Sequence, residues 1–552
     1  MADMPTYRTA VPIALLLALG VFLPGPPAAN ADGDFESARK TYEERRRRPS
    51  FFKRTEGRRV LVATEDPRAI QILARDYAKP EPPREEVRHT IVATVLGQSW
   101  GSDDAKAAIH AWRAANATPA DAWLWYRSLL ADMRNLDDED AVAAYHATTD
   151  PHLREAAVRA LAAGRYTEIF AVLQEQLAGL VDKRMAWRGP QARVLESVAL
   201  CLASLKLRHE RDGWKETAKQ LLERLGADGI LRRTKYVVTR AMAHVMGGDP
   251  TVLDQDTWIR EVLAGGSGAG AEDRRYGGPS FGGLRATGER IVYVIDLSDS
   301  MLEPIDDKVK ERLRAVVTGP RDPKDGSRPD LPWHRINTRF DLAREMLKAS
   351  IQELDKKKLF AVVAFGNEAR TLAATPKLRK ATPGQVKKTL AEIDGITPGP
   401  PGSGTTASRL GALEGETNLH GGLRLAFQLS TKGVQRKNAW LDPKMRDVGA
   451  ETIFLLTDGE PTVDDWITTD RRDGEGAVRD RETNEPTDLT DTLRFAGPYG
   501  YLWGPYLVDD IARRNFFRHV EIHCIGLGDA AMSLLHELAD VGLGKATQIG
   551  HE

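Results

Sequence analysis

The hydrophobic pattern of this chain changes near its middle. Between residues 87 and 264, apolar side chains recur every three or four positions, as at Leu153, Ala157 and Leu161, which predicts amphipathic helices. From residue 288 onward, continuous runs of apolar and β-branched residues predict strands that are buried on both faces. The pattern therefore predicts an all-α region followed by an α/β domain.

Strand and helix patterns alternate in the second region. The predicted strands are 290–295, 359–365, 452–456 and 520–527. The predicted helices are 340–354, 385–393, 419–429, 507–516 and 531–539. This alternation predicts a doubly wound, mostly parallel sheet with helices on both faces.

The helical region has its own organisation. Asp150 and Pro151 form a helix-start signal, and segment 150–161 resembles a helix of a HEAT-type repeat, although a plain helical bundle fits the pattern equally well. Segment 32–86 is strongly charged and is interpreted as a solvated helix face or a poorly ordered lead-in. The Gly-rich segment 265–287 predicts a flexible linker before a second domain at 288–552.

The first 31 residues have the pattern of a cleaved secretory signal peptide. The apolar run 11–23 is too short to cross about 30 Å of hydrocarbon, and Ala29-Asn30-Ala31 fits a cleavage site. An uncleaved anchoring segment is the alternative. We expect a secreted or periplasmic protein without stable membrane insertion, because no later segment approaches about eighteen consecutive apolar residues.

Charge and cysteine content limit which partners, disulfides and metal sites the chain can have. With 78 Lys and Arg against 79 Asp and Glu, the net charge is -1, which gives no general attraction to nucleic acid or anionic lipid. The two cysteines, Cys201 and Cys524, lie in apolar segments of different predicted domains. A disulfide is possible in an oxidising compartment but disfavoured, and two cysteines are too few for a Cys-based metal site.

Oxygen-bearing side chains follow the predicted strands. Asp296 ends the first strand and is followed by Ser298 and Ser300, whereas Asp458 follows the strand 452–456. Thr417 precedes a predicted helix that begins at the same edge of the sheet. Carboxylate and hydroxyl oxygens suit Mg²⁺, Ca²⁺ or Mn²⁺, whereas zinc prefers His or Cys. These segments therefore predict a divalent cation at the carboxyl ends of the strands.

This set of motifs resembles the metal-ion-dependent adhesion site of von Willebrand factor type A domains. The resemblance covers about residues 288–550 and implies that Ser298, Ser300 and Thr417 bind the ion directly or through water, with the two aspartates completing its shell. The family commonly has Gly where this chain has Asp299, which adds an acid beside the site. Singly, each motif is better explained by a helix cap or a turn, and only the three motifs together favour a metal site.

Three long polar segments interrupt the domain on this edge of the sheet. They are the insertions 303–337 and 464–506 and the Gly-rich stretch 399–415. Loops of this length are usually functional or disordered, and we expect them to shape a partner surface.

The sequence favours a secreted binding module over an enzyme. An acidic side chain of a protein partner would complete the coordination shell of the bound divalent cation. The chain lacks the sequence signatures of zinc proteases, serine hydrolases and P-loop nucleotide-binding proteins, and neither His420 nor His523 lies near the acids in sequence. The alternatives are a scaffold whose helical region binds the partner, or a Mg²⁺-dependent enzyme.

Overall fold

The computed structural model describes most of the chain apart from the first thirty residues and several internal segments. The described residues are 31–48, 51–79, 92–93, 96, 102–134, 138–181, 189–209, 211–265, 280–316, 330–396, 415, 417–436, 439–459, 461, 471–472, 478–479 and 504–550. Nearly all of the predicted signal peptide, most of the Gly-rich segment predicted as a linker and most of two predicted loops, 399–415 and 464–506, lie outside these residues.

The first half is helical. Its helices are α1 (Ala31–Arg45), α2 (Phe51–Val62), α3 (Pro67–Ala78), α4 (Asp103–Ala115), α5 (Ala122–Arg134), α6 (Asp138–Ala147), α7 (Pro151–Ala163), α8 (Ile169–Ala178), α9 (Pro190–Ser204), α10 (Asp212–Arg224), α11 (Arg232–Met246) and α12 (Gln255–Ala264). Helix α7 begins as the sequence predicts, because the Asp150 carboxylate accepts hydrogen bonds from the main-chain N–H groups of His152 and Leu153.

Helical structure begins earlier than the hydrophobic pattern predicts. Helices α1 to α3 occupy the segment interpreted above as a charged lead-in, and they bury Phe35, Tyr42, Leu73 and Tyr77. The many charges of this segment hide its apolar stripe. Arg58 shows how such charges are accommodated, since it is buried against Asp76 with 3.2 Å between Nε and Oδ2.

The second half alternates between strands and helices. The strands are β1 (Ser280–Phe281), β2 (Leu284–Arg285), β3 (Arg290–Asp296), β4 (Leu359–Phe365), β5 (Ala369–Thr371), β6 (Arg379–Lys380), β7 (Leu429–Ser430), β8 (Gly433–Val434), β9 (Thr452–Thr457), β10 (Arg471–Arg472), β11 (Val478–Arg479), β12 (Glu521–Leu527) and β13 (Ala546–Ile549). The helices are α13 (Asp307–Val316), α14 (Arg339–Gln352), α15 (Pro383–Asp394), α16 (Leu419–Gln428), α17 (Lys444–Val448), α18 (Gly504–Asn515) and α19 (Met532–Val541).

The main sheet has the mostly parallel order that the sequence predicts. Its strand order is β13-β12-β9-β3-β4-β5, and β6 also pairs with β4. The first five strands in this order are mutually parallel, whereas β5 and β6 run antiparallel to β4. All four predicted strands and all five predicted helices are present. The polar strand β13 and the short strands β5 and β6 were not predicted.

Successive residues of the central strands enter two different cores. Ile291, Tyr293 and Ile295 pack in one core with helices α14 and α15. Val292 and Val294 face the other core, which contains residues of α16, α18 and α19 and continues into the helical half. The sheet is therefore covered on both faces, and one of its two cores is shared with the first half of the chain.

A buried polar cluster joins the two halves, and we call it the seam: Glu155, Glu196, Arg233, Arg446 and His519. The imidazole nitrogens Nδ1 and Nε2 of His519 lie 2.7 Å from Glu196 Oε2 and 3.0 Å from Glu155 Oε1. Arg446 Nη2 lies 2.5 Å from Glu196 Oε1, and Arg233 donates to the main-chain oxygens of residues 446 and 518. The seam thus connects α7, α9 and α11 to the segment before β12.

Apolar contacts reinforce the seam. Trp123 and Tyr126 on α5 pack against Phe516, with ring centroids 5.4 Å and 5.1 Å away. Trp123 and Trp125 are buried, so they belong to the core of the helical half and its contact with the second half.

Two further sequence features can be located in the structure. Cys201 and Cys524 are both buried, and neither forms a disulfide. Among the helices that the structure describes, none is both long and apolar enough to span a bilayer.

Candidate metal centre

The two predicted aspartates lie at adjacent strand ends. Strands β3 and β9 pair in parallel, with Ile295 opposite Leu456, so Asp296 and the Thr457-Asp458 segment leave the sheet side by side. Asp296 Oδ2 accepts a hydrogen bond from the Thr457 hydroxyl, and Oδ1 accepts one from the Ser298 main-chain N–H at 2.8 Å. The sheet register and the first residues of the turn therefore fix the orientation of the Asp296 carboxylate.

The serine turn brings two hydroxyls to the same place. After Ser298 the chain forms a short 3₁₀ helix, Asp299–Leu302. Ser298 Oγ and Ser300 Oγ are 3.1 Å apart, and the Ser300 hydroxyl donates to Asp458 Oδ1 at 2.7 Å. The turn after β3 and the turn after β9 are thus in direct contact through side-chain oxygens.

Thr417 reaches this cluster from a third segment. The Asn418 main-chain N–H donates to the Gly366 carbonyl just after β4, at 2.8 Å, and the Asn418 side chain caps α16 by accepting from the Gly421 N–H. A Cβ atom placed on Gly459 would lie 3.5 Å from Ser300 Oγ and 3.9 Å from Thr417 Oγ1. Both hydroxyls therefore face the turn that carries Asp458.

The structure thus brings the five predicted residues to one edge of the sheet, and we call them the rim: Asp296, Ser298, Ser300, Thr417 and Asp458. Asp299 lies beside the rim, where its main-chain N–H donates to the Gly415 carbonyl at 3.3 Å. Glu416, which precedes Thr417, lies outside the described residues.

Burial makes the two rim carboxylates electrostatically unfavourable when charged. Asp296 is fully buried, and removal from water together with the nearby Asp458 charge raises its pKa from 3.8 to about 7. Burial also raises the pKa of Asp458, although hydrogen bonds from Ser300 and Arg339 oppose the change. Two buried acids in contact with hydroxyls hold an excess of negative charge that a cation would neutralise.

The donor chemistry fits a hard divalent cation. The rim offers two carboxylates and three hydroxyls, which are oxygen ligands of the kind that Mg²⁺ and Ca²⁺ take. Within the described part of the chain, no group of three or more His, Cys, Asp or Glu side chains is arranged to hold a metal. The rim is not such a group, because three of its five side chains are hydroxyls.

The sequence did not point to Arg339, which also contacts the rim. It is the first residue of α14, and its Nη1 donates to Asp458 Oδ2 at 3.0 Å, while its Nη2 lies 2.6 Å from Glu303 Oε2. In the sequence, Arg339 appears only as a polar residue after the helix cap Thr338. Its place beside Asp458 depends on segment 303–305 pairing with segment 337–339.

The two histidines considered above have structural contacts. His420 on α16 is fully buried, and its Nε2 lies 2.9 Å from Asp510 Oδ2 on α18. His523 stacks on Phe454 within the sheet, and its Nε2 lies 3.0 Å from the Arg285 carbonyl oxygen. His420 therefore connects α16, the helix that follows Thr417, to its neighbour α18, whereas His523 is packed within the sheet.

Comparisons with known proteins identify a distant structural similarity and no family. No family model matches the chain, and no curated protein matches it. Fourteen chains of solved structures match, and one of them is a von Willebrand factor type A protein from Catenulispora acidiphila, with 19% sequence identity and a TM-score of 0.25. That match covers 47% of this chain and 38% of the matched protein.

Proposed function

We propose that the second half of the chain is a metal-dependent protein-binding module of an exported protein. The rim would hold Mg²⁺, Mn²⁺ or Ca²⁺, and the acidic side chain of a protein partner would complete the shell of the ion. The observation that carries this proposal is that Asp296 and Asp458 are buried at adjacent strand ends among hydroxyls, and that Arg339 is the one cationic side chain that contacts them among the described residues.

Other buried acids in the same chain support this interpretation. Burial alone would raise the pKa of Glu155, Glu196, Asp510 and Glu521, but neighbouring Arg and His side chains lower it in all four. For Glu155 and Glu521 the resulting pKa is about 2. Buried charges are normally paired within the protein or bound to metal, and among the described residues Arg339 is the one cationic partner of the two rim carboxylates.

Each rim residue has a distinct role in the proposal. Asp296 and Asp458 supply the negative charge, and Ser298, Ser300 and Thr417 supply neutral oxygens. Few carboxylates would leave a bound divalent cation with residual positive charge, and that charge would attract a partner carboxylate. The main chain supports the arrangement, since Asp296 accepts from the Ser298 N–H and Asn418 donates to the Gly366 carbonyl.

Binding of Mn²⁺ to the full-length chain tests the metal site. Electron paramagnetic resonance measures free Mn²⁺ during a titration, and we expect the wild-type chain to bind one ion that EDTA removes. Asp296→Asn keeps the shape of the side chain but removes its charge, and should weaken binding by at least about tenfold.

Asp299→Asn is the matched control, because it removes an acid from the same turn that is not among the predicted ligands. It should change Mn²⁺ affinity much less than Asp296→Asn. Equal losses for the two variants, or no saturable binding by the wild type, would remove the metal site from the proposal.

Acetate serves as the probe for the partner's acidic side chain. If bound Mn²⁺ keeps a position for an outside carboxylate, acetate should displace water from the ion and lower the water-proton relaxation rate of the Mn²⁺-loaded protein. Acetamide, which has a similar shape but no charge, should have little effect. If acetate has no effect, the ion only stabilises the second half, and the scaffold alternative gains support.

A further inference from the structure

Arg339 contacts the side of Asp458 that faces away from the serine turn. Asp458 Oδ1 accepts from the Ser300 hydroxyl at 2.7 Å, whereas Oδ2 accepts from Arg339 Nη1 at 3.0 Å. One carboxylate is therefore shared between the oxygen ligands of the rim and a positively charged side chain of the same domain.

The position of this guanidinium is built into the fold. A Cβ atom on Gly528 would lie 2.7 Å from Arg339 Nη2 and 2.9 Å from its Cζ, so the guanidinium rests where any larger residue would collide with it. Gly528 has a positive φ of 58°, and hydrogen bonds from its N–H to Ile549 and from Gln548 to its carbonyl tie it to β13.

Glu303 holds the other side of the same guanidinium. Its Oε2 lies 2.6 Å from Arg339 Nη2, and its main-chain carbonyl accepts from the Arg339 N–H at 3.0 Å. Glu303 is 56% exposed, whereas the Arg339 side chain is only 17% exposed and that of Asp458 is fully buried. The guanidinium is thus held between a surface acid and a buried acid.

We infer that Arg339 is a resident counter-charge that competes with the divalent cation for Asp458 and so limits the affinity of the rim for metal. This inference rests on the proposed function, since it concerns the same site. When all three are ionised, Asp296, Asp458 and Glu303 carry three negative charges, and Arg339 can neutralise one of them. A divalent ion arriving at Oδ1 is repelled by the guanidinium at Oδ2, because like charges at short range in a poorly solvated site interact strongly.

The inference makes Arg339 a positioning residue whose charge matters more than its shape. Arg339→Gln removes the charge but keeps an amide donor for Asp458, whereas Arg339→Lys keeps the charge and loses the planar fork. A purely structural role predicts that both substitutions weaken metal binding. A counter-charge role predicts that Arg339→Gln tightens metal binding, whereas Arg339→Lys leaves it nearly unchanged.

Mn²⁺ titration of the full-length chain, followed by electron paramagnetic resonance, distinguishes these roles. We expect Arg339→Gln to bind Mn²⁺ about tenfold or more tightly than the wild type, a difference that corresponds to a modest change in local charge interaction. Arg339→Lys should stay near the wild-type affinity.

Arg344→Gln is the matched control. Arg344 lies on the same helix and is also 17% exposed, but it pairs with Asp341 and Glu345 and not with Asp458. It should leave Mn²⁺ affinity unchanged. If the wild type binds Mn²⁺ and Arg339→Gln binds it equally or more weakly, the inference is overturned and the metal site stays intact. Absence of binding in the wild type and in all variants would overturn the proposed function and the inference with it.

Discussion

Glu155 and Glu196 at the seam are buried next to His519, Arg193 and Arg446. Asp296 and Asp458 at the rim are buried next to hydroxyls and, within the part of the chain that the structure describes, a single arginine. The pKa values of the two acids at the seam are lowered, and those of the two acids at the rim are raised. The same chemical group, equally removed from water, is thus stabilised as an anion in one place and destabilised in the other.

This difference separates a structural role from a binding role. At the seam, the chain supplies its own counter-charges, and the cluster can hold the two halves together without any other molecule. At the rim, the described residues supply only Arg339, so on the proposed function the folded state would gain stability from a bound cation. The contrast also means that separating the halves near residue 265 would expose a charged, formerly buried surface, and point substitutions are the cleaner way to examine each region.

The largest effect is expected at the seam. Glu196→Gln removes the charge that faces Arg446 and His519, and should lower the free energy of unfolding by about 3–5 kcal/mol, because buried cations lose their counter-charge. Urea denaturation followed by tryptophan fluorescence measures this change. Trp123, which packs against Phe516 beside the seam, contributes to the signal.

Glu216→Gln on helix α10 is the control for the seam, because Glu216 is solvent-exposed and its carboxylate accepts a hydrogen bond from the Gln220 side chain. It should change the free energy of unfolding by less than about 0.5 kcal/mol.

The seam should also stabilise the folded state less in acid. Glu155 has a pKa of about 2 in the folded chain against 4.5 ordinarily, so its contribution is present above pH 4.5 and is lost as the pH falls toward 2. A seam variant as stable as the control would contradict this account.

A smaller effect of opposite sign is expected at the rim. In EDTA at pH 8, Asp296→Asn should raise the free energy of unfolding by about 2–4 kcal/mol, since each pKa unit corresponds to about 1.4 kcal/mol. Because the pKa of Asp296 is about 7 in the folded wild type against 3.8 ordinarily, protonation of Asp296 stabilises the folded state. This stabilisation is fully present below pH 3.8 and is lost as the pH rises through 7.

The stabilisation by Asp296→Asn should therefore be present at pH 8 and nearly absent at pH 3.8, which thermal denaturation across this range can measure. Saturating Mn²⁺ should reverse the order at pH 8 by stabilising the wild type more than the variant. If Asp296→Asn destabilises the metal-free chain at pH 8 as strongly as Glu196→Gln does, then the fold stabilises the charged form of the acid at the rim just as it does at the seam.

The sequence predicted those parts of the site that depend on local patterns. Strand β3 is a mainly apolar run that ends in Asp296, and β9 is a mainly apolar run that Asp458 follows directly. Parallel strands place such ends at one edge of a sheet. That reasoning located Asp296 and Asp458, and the helix-start pattern after Thr417 located the third segment. The mainly parallel sheet could be predicted for the same reason.

The seam could not be predicted, because its members come from segments that look ordinary one at a time. Glu155 and Glu196 lie on amphipathic helices where acids are common, and His519 lies more than three hundred residues away in sequence. Arg339 is hidden similarly, as one more charge at a helix start. Strand β13 was missed because its sequence, Ala546–Ile549, is short and half polar, and it forms only by pairing with β12.

The most direct test of the central claim is the position of a bound ion. Crystals of the chain grown with Mn²⁺ and measured at the manganese absorption edge should give one anomalous peak among Ser300 Oγ, Thr417 Oγ1 and Asp458 Oδ1, and none in crystals of Asp296→Asn. A peak only at other residues, or no peak at the rim in the wild type, would show that the excess charge of the two aspartates is neutralised without a metal.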